Sequence, residues 1–306
     1  MPIEPVDKVW MNGKFVAWED ANVHILTHAL HYGTGVFEGI RCYETSRGPA
    51  VFRLRDHLER MQRSAKIFMT DIPYSVDELI AAARELIRMN GLRACYVRPI
   101  AYRGFGEIGV NPDKNPVEVA IAVWSWGTYL GEKALKEGIR MTISSWRRHD
   151  PNIIPPSAKV TGAYINSSMA KLEAVRGGFD EAIMLSPSGF VSEATGENIF
   201  IVKDGELMTP ALPAGPLPGI TRDTVIKLAA DLGMQVFERF LTRADLYTAE
   251  EMFCTGTAAE VTPVREIDER VIGEPGPVTM AIQQKYFEVV KGQDEKYFGW
   301  LDFVRS

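Results

Sequence analysis

The pattern of apolar and polar positions is clearest near the start of the chain. Val9-Trp10-Met11 and Lys14-Phe15-Val16 flank Asn12-Gly13, which predicts a two-residue hairpin. Leu54, Leu58, Met61, Ala65 and Phe68 recur at three and four, predicting a helix from about residue 55. His57, Arg60 and Ser64 form the adjacent stripe, where an arginine would ordinarily be a solvated charge. Ser75 to Glu78 reads as a capping box, and Asn90-Gly91 as the stop of a second helix. Residues 94–102 and 117–124 are apolar enough to be strands, and the glycine-rich 103–112 between them is irregular. Arg98 sits in the first of these strands beside Tyr96, so it either pairs internally or serves a ligand.

A linker is expected at 125–138, after which a βα pattern begins. Strands are expected at 139–145, 182–185, 198–202, 206–208 and 252–254. Helices are expected from Tyr164 to Gly177-Gly178, from Pro218-Gly219 to about Leu232, and within 276–297. This is an α/β (α+β) chain of two domains, 1–124 and 139–306, with no internal repeat.

Composition narrows the classes. At 306 residues, 46% hydrophobic and 24% charged, the chain is ordinary globular material. A net charge of -6 offers no basic stripe for nucleic acid and no basic amphipathic helix for a membrane. No apolar run is long enough to span a bilayer, and the acidic start lacks a signal-peptide core. Cys42, Cys95 and Cys254 form neither a CxxC pair nor a disulfide framework, so a reducing, cytoplasmic setting is expected.

The candidate chemistry centres on Lys159, between Pro155-Pro156 and Gly162, with no charged residue from Asp150 to Lys171 other than itself. Such a lysine can lose solvation, which lowers its pKa and lets its amine attack a carbonyl. Pro218-Gly219-Ile220-Thr221 puts a glycine before a helix N-terminus, which suits a phosphate. Thr255-Gly256-Thr257 offers hydroxyls and N–H groups after a strand. Glu193 and Glu197 are equal carboxylate candidates. The histidines at 24, 28 and 31 have no nearby carboxylate or cysteine to complete a metal site, so hydrogen-bonding roles are expected. Gly33, Gly35 and Gly39 imply backbone passing close to something. A lysine, two phosphate cradles, a carboxylate and an aromatic rim together suit pyridoxal 5′-phosphate.

The blocks HALHYGTGVFEGIR (28–41), YVRP (96–99), GENIF (196–200), LPGITRD (217–223) and GTAAEVTPV (256–264) go further. Nearly the whole chain resembles the branched-chain amino-acid aminotransferases of the class IV pyridoxal-phosphate fold. The resemblance implies a small N-terminal domain, an interdomain loop at 125–138, a large C-terminal domain, and the cofactor between the domains. Lys159 would form the Schiff base and shuttle the proton. Arg60 would hold the phosphate, with Ile220, Thr221 and Thr257 donating to it. Glu193 rather than Glu197 would face the pyridine nitrogen, Tyr164 the ring hydroxyl, and Leu217 the ring. Thr257 and Ala258 would offer N–H groups to the substrate carboxylate. Tyr32, Phe37, Tyr129 and Tyr164 would wall an apolar pocket, and Arg98 with Tyr96 would take the second carboxylate of glutamate. The implied reaction is ping-pong transamination of leucine, isoleucine and valine with 2-oxoglutarate. A homo-oligomer is implied, a dimer at least and by analogy a hexamer, with the 103–110 loop meeting a neighbouring subunit.

Gly35, often serine in the family, and Thr195, often glycine, depart from its usual pattern and bear on substrate range. The competing readings are a D-amino-acid transaminase, an aminodeoxychorismate lyase, and a non-catalytic cofactor-binding protein. The first two usually carry an acid where Thr34 stands and lack the FEGIR and GTAAEVTPV blocks. Retention of Lys159, Glu193 and Arg60 argues against the last, since a relative without catalysis would be free to lose them.

Overall fold

The computed structural model describes residues 3–127 and 131–304. The chain divides into two compact units. The first comprises Met1–Gly127, Ala158–Ala163 and Val289–Ser306; the second comprises Thr128–Ser157 and Tyr164–Glu288.

The first unit is built on an antiparallel sheet. Its strands run in the order Leu301–Phe303, Gly48–Phe52, Ile40–Thr45, Cys95–Arg103, Val117–Trp124, Lys8–Met11, Lys14–Ala17, with Gly35–Phe37 also paired to Cys95–Arg103. Asn12 and Gly13 have φ of 46° and 85°, the left-handed pair that a tight primed turn requires. Helices Leu54–Ile67 and Val76–Met89 cover the sheet's apolar side chains with their own. Leu54, Leu58, Met61 and Ala65 are buried as their spacing predicts, while Phe68 ends the helix and is exposed. The adjacent stripe is also buried: His57 is 2%, Arg60 6% and Ser64 0% exposed, so Arg60 is not a solvated charge. The capping box forms, with Ser75 and Glu78 each accepting the other's backbone N–H.

The second unit carries a mixed sheet, ordered Val191–Ala194, Glu181–Leu185, Ile139–Ile143, Glu260–Ile267, Glu251–Gly256, Asn198–Lys203, Glu206–Pro210, Val236–Arg239. Ile139–Ile143 runs parallel to both of its neighbours. Met141, Ile183, Ile199, Ile201, Met252 and Cys254 fill the core beside it. Helices Tyr164–Arg176 and Ile220–Asp231 belong to this unit.

Three features differ from the sequence reading. The expected linker at 125–138 contains a helix, Glu132–Glu137, because Ala134 buries against the core of the second unit. Val191–Ala194 is a strand that short alternation did not reveal, since it includes two polar residues and a bulge between Val191 and Glu193. The chain also returns to the first unit twice. Ala158–Ala163 is held by a bridge from Val160 to Val36, and Leu301–Phe303 adds an edge strand beside Gly48–Phe52.

Candidate active site

Lys159 is positioned by backbone contacts on both sides. The Phe37 N–H donates to the Lys159 carbonyl at 3.1 Å. The Lys159 N–H donates to Ser64 Oγ at 3.1 Å. Gly162 N and Thr161 Oγ1 both donate to the Gly33 carbonyl, at 3.2 and 2.8 Å. The glycines upstream make this approach possible. Gly33 has φ of +66°, and a Cβ there would stand 2.6 Å from Gly162 Cα. A Cβ on Gly39 would overlap the Tyr96 hydroxyl. The Lys159 ammonium lies 5.0 Å from the centroid of the Phe37 ring, on the strand to which its own backbone is pinned.

Arg60 reaches a buried carboxylate on the same unit. Its Nε and Nη2 donate to Oε1 and Oε2 of Glu38, each at 2.7 Å. His57 Nδ1 meets Glu38 Oε2 at 2.8 Å. Burial alone would raise the Glu38 carboxyl, but the charge and hydrogen bonds of Arg60, with those of His57, outweigh it and hold it well below the usual carboxylate range. Burial drives the His57 pKa below that of an ordinary histidine, despite the Glu38 hydrogen bond, and the charges of Arg60 and Lys159 act in the same direction.

Arg98 stands among aromatic rings rather than acids. Its guanidinium carbon is 5.0 Å from the Phe37 ring, 5.2 Å from Tyr96 and 5.9 Å from Trp124. Its Nε is buried with no hydrogen-bond partner, and no carboxylate pairs with it among the described residues. An internal ion pair is therefore not what holds Arg98 in the strand. Trp126 packs on Tyr96 with ring centroids 4.9 Å apart, extending the aromatic wall. Tyr32 is 43% exposed, at the end of the short helix His28–Tyr32. Tyr129 lies outside the described residues. The histidines of the first block serve hydrogen bonds: His28 contacts Thr34 Oγ1 and the Gly109 carbonyl, and His31 the Ile25 carbonyl.

The second unit holds the other candidates. Glu193 is buried on the Val191–Ala194 strand. Its Oε1 takes an ion pair from Arg148 Nη2 at 2.8 Å, and its Oε2 accepts the Leu217 N–H at 3.0 Å. Asn198 Nδ2 donates to the Leu217 carbonyl, so both backbone groups of Leu217 are held. A Cβ on Gly219 would overlap the Asn198 amide oxygen, which explains that glycine. Gly219 opens the helix Ile220–Asp231 without a side-chain cap, so this helix end suits an anion. Thr257 and Ala258 form the turn between Glu251–Gly256 and Glu260–Ile267 and are half-buried. Tyr164 begins the helix Tyr164–Arg176 and is half-buried.

The two carboxylates that were equal in sequence differ in their partners. Lys171 neutralises Glu181 at 2.7 Å and Arg148 neutralises Glu193. No cation pairs with Glu197 among the described residues, and burial first and the Glu181 charge second push its carboxyl up to about 8. Glu193 is thus the buried carboxylate that pairs with a cation, while Glu197 has none among the described residues.

Within the first unit the structure brings together Lys159, Arg60, Phe37, Tyr96 and Arg98; within the second it brings together Glu193, Leu217 and Gly219. The sequence reading missed Glu38, Arg148, Trp124 and Trp126. Glu38 was detectable as the one acid in the apolar run 35–40; Arg148 sits in the polar run 147–150 and gave no signal.

Residues 35–267 match the family described as amino-transferase class IV. The chain is 50% identical to the branched-chain-amino-acid aminotransferase of Salmonella typhimurium, over the full length of both. It superposes on the Escherichia coli branched-chain amino acid aminotransferase with a TM-score of 0.96 at 50% identity, covering 98% of this chain and 100% of that one. A branched-chain amino acid aminotransferase from T.th., complexed with N-(5′-phosphopyridoxyl)-L-glutamate, gives a TM-score of 0.94 at 49% identity, covering 98% and 99%. With its lysine, acid and helix-end glycine each placed by the fold, this chain belongs to the class IV aminotransferases.

Proposed function

We propose that this chain transfers the amino group of L-leucine, L-isoleucine or L-valine to 2-oxoglutarate, with pyridoxal 5′-phosphate as cofactor. The observation that carries the reading is a combination on one unit. Lys159 and Arg98 both lie against the Phe37 ring, the lysine at 5.0 Å and the arginine at 5.0 Å, and Arg98 has no acid partner among the described residues. Aromatic walls take an apolar side chain, and an arginine fork takes a carboxylate. The names of the relatives and the phosphopyridoxyl-glutamate complex support the same substrates.

The residues fit the cofactor. By the family resemblance, Arg60 would hold the phosphate, as would the helix start at Gly219, Ile220 and Thr221 and the Gly256-Thr257 turn. Leu217 would pack on the ring, and Tyr164 would hold the ring hydroxyl. When bound, pyridoxal phosphate supplies an aldehyde for amino groups and a ring that accepts electrons from the substrate Cα. Glu193, paired with Arg148, would keep a proton on the ring nitrogen. The Lys159 backbone is pinned at its N–H and its carbonyl, so only its side chain swings, and its amine carries the proton from the substrate Cα. Thr257 and Ala258 orient the α-carboxylate through N–H groups. Tyr32 and Phe37 would wall the side-chain pocket, and Arg98, with Tyr96, would bind the distal carboxylate of glutamate.

Apolar side chains on the first unit favour a homo-oligomer, a dimer at least. Ile25 is 72%, Leu30 58%, Ile108 52% and Val110 84% exposed, a density that a solvated monomer rarely tolerates.

The test of the reaction is a product survey. Leucine with 2-oxoglutarate should yield 4-methyl-2-oxopentanoate and L-glutamate. Turnover of D-alanine alone, or release of pyruvate from aminodeoxychorismate, would instead select a sister activity of the fold.

A further inference from the structure

Glu38 is fully buried, one residue beyond the strand that carries Phe37, and its own N–H donates to the Pro99 carbonyl at 2.9 Å. Its two oxygens receive three donors: Arg60 Nε on Oε1, and Arg60 Nη2 and His57 Nδ1 on Oε2. A carboxylate only accepts, so His57 carries its hydrogen on Nδ1. An amide cannot replace this group. Whichever end bears the NH2, an Arg60 N–H would face another donor.

We propose that Glu38 is the positioning residue of the phosphate site: its bidentate hold on Nε and Nη2 fixes the plane and rotation of the Arg60 guanidinium, so that the arginine meets the cofactor phosphate in one orientation. The proposal rests on the reading that Arg60 holds the phosphate. The fork geometry argues for orientation over simple stability, because a buried ion pair adds little net stability compared with apolar packing of the same volume. The carboxylate also cancels the arginine charge. Phosphate would then be recognised by directed N–H groups and not by net charge, and the fold is spared an uncompensated buried cation.

Two effects of removing Glu38 have opposite signs, which makes the proposal testable. If charge alone governed, Glu38→Gln would expose the full charge of Arg60 and tighten phosphate binding. If orientation governs, the same variant weakens it. The experiment titrates pyridoxal phosphate, and separately pyridoxal, into the full-length protein freed of cofactor, for the wild type, Glu38→Gln, Arg60→Gln and the double variant. Glu38→Gln should weaken pyridoxal phosphate roughly ten- to a hundred-fold and leave pyridoxal within about twofold. In the Arg60→Gln background, Glu38→Gln should add almost nothing, because it acts through Arg60. Tighter or unchanged phosphate binding, equal losses for both ligands, or additive losses would each overturn the proposal. Full phosphate selectivity in Arg60→Gln would instead overturn the assignment of Arg60 itself. Should Glu38→Gln fail to fold, Glu38→Asp keeps the charge and withdraws the fork by one methylene: charge alone then predicts unchanged phosphate binding, and orientation predicts weaker binding with pyridoxal unaffected.

Discussion

Arg98 shows how much one side chain decides. The sequence left it as either half of an internal ion pair or a ligand group, and the structure gives it three aromatic neighbours and no acid among the described residues. An unpaired carboxylate against aromatic rings is costly, so on the proposed reading glutamate would need this guanidinium and leucine would not. Arg98→Ala should raise the barrier with glutamate or 2-oxoglutarate by about 2–4 kcal/mol and change the leucine half-reaction far less. Single-turnover rates for each half-reaction check this; parallel losses would make Arg98 a structural residue. Glu193 is the second decisive side chain. Glu193→Gln keeps the shape that accepts the Leu217 N–H but loses the charge that Arg148 and the ring nitrogen require. It should slow transamination roughly ten- to a hundred-fold while much of the cofactor stays bound. A wild-type rate would move the role to another acid.

The Lys159 loop and the strand before it work as one element. Its glycines were legible as sites of close approach, but not what approached them, because the partners, Gly162 for Gly33 and Tyr96 for Gly39, lie on distant elements of the chain. The contact explains a specific sensitivity. Gly33→Ala would place a Cβ 2.6 Å from Gly162 Cα at a φ of +66°, so the lysine loop must shift. We expect a loss of about 1–3 kcal/mol in unfolding free energy and weaker cofactor retention. Denaturant unfolding and the visible absorbance of the holoenzyme measure the two effects, and an unperturbed variant would contradict the packing described. The capped helix Val76–Met89 and the Asn12-Gly13 hairpin were legible because local chemistry sets them. The Val191–Ala194 strand was not, since its short, half-polar sequence is fixed by pairing with Glu181–Leu185. The burial of Arg60 escaped for the same reason: its partner is on another element, and helical spacing alone cannot show a buried Glu38.

At the scale of the whole molecule, the chain passes between units near residue 127 and again around Ala158–Ala163 and before Val289, and the later passages left no mark in the sequence, because a bridge at Val160 and an edge strand at Leu301–Phe303 alter no composition. Stability should depend on pH through Glu197. Its carboxyl moves from 4.5 up to about 8 on folding, by burial and then by the charge of Glu181. Between those values the folded chain keeps a proton that the unfolded chain has released. The stabilisation is therefore complete below the lower value and is lost as pH rises toward about 8. Glu197→Gln removes the titration and should flatten this decline. Denaturant midpoints across that range would show it; a slope equal to that of the wild type would contradict the assignment.

The central claim is that one lysine-centred site accepts a branched-chain amino acid and then a dicarboxylic oxo acid. The most direct measurement follows the visible absorbance of the holoenzyme as L-leucine is added and then, after its removal, 2-oxoglutarate. The account predicts that leucine abolishes the Lys159-dependent band and that 2-oxoglutarate restores it, with one equivalent each of 4-methyl-2-oxopentanoate and L-glutamate released per site. A band that leucine leaves unchanged, or that 2-oxoglutarate cannot restore, would contradict it.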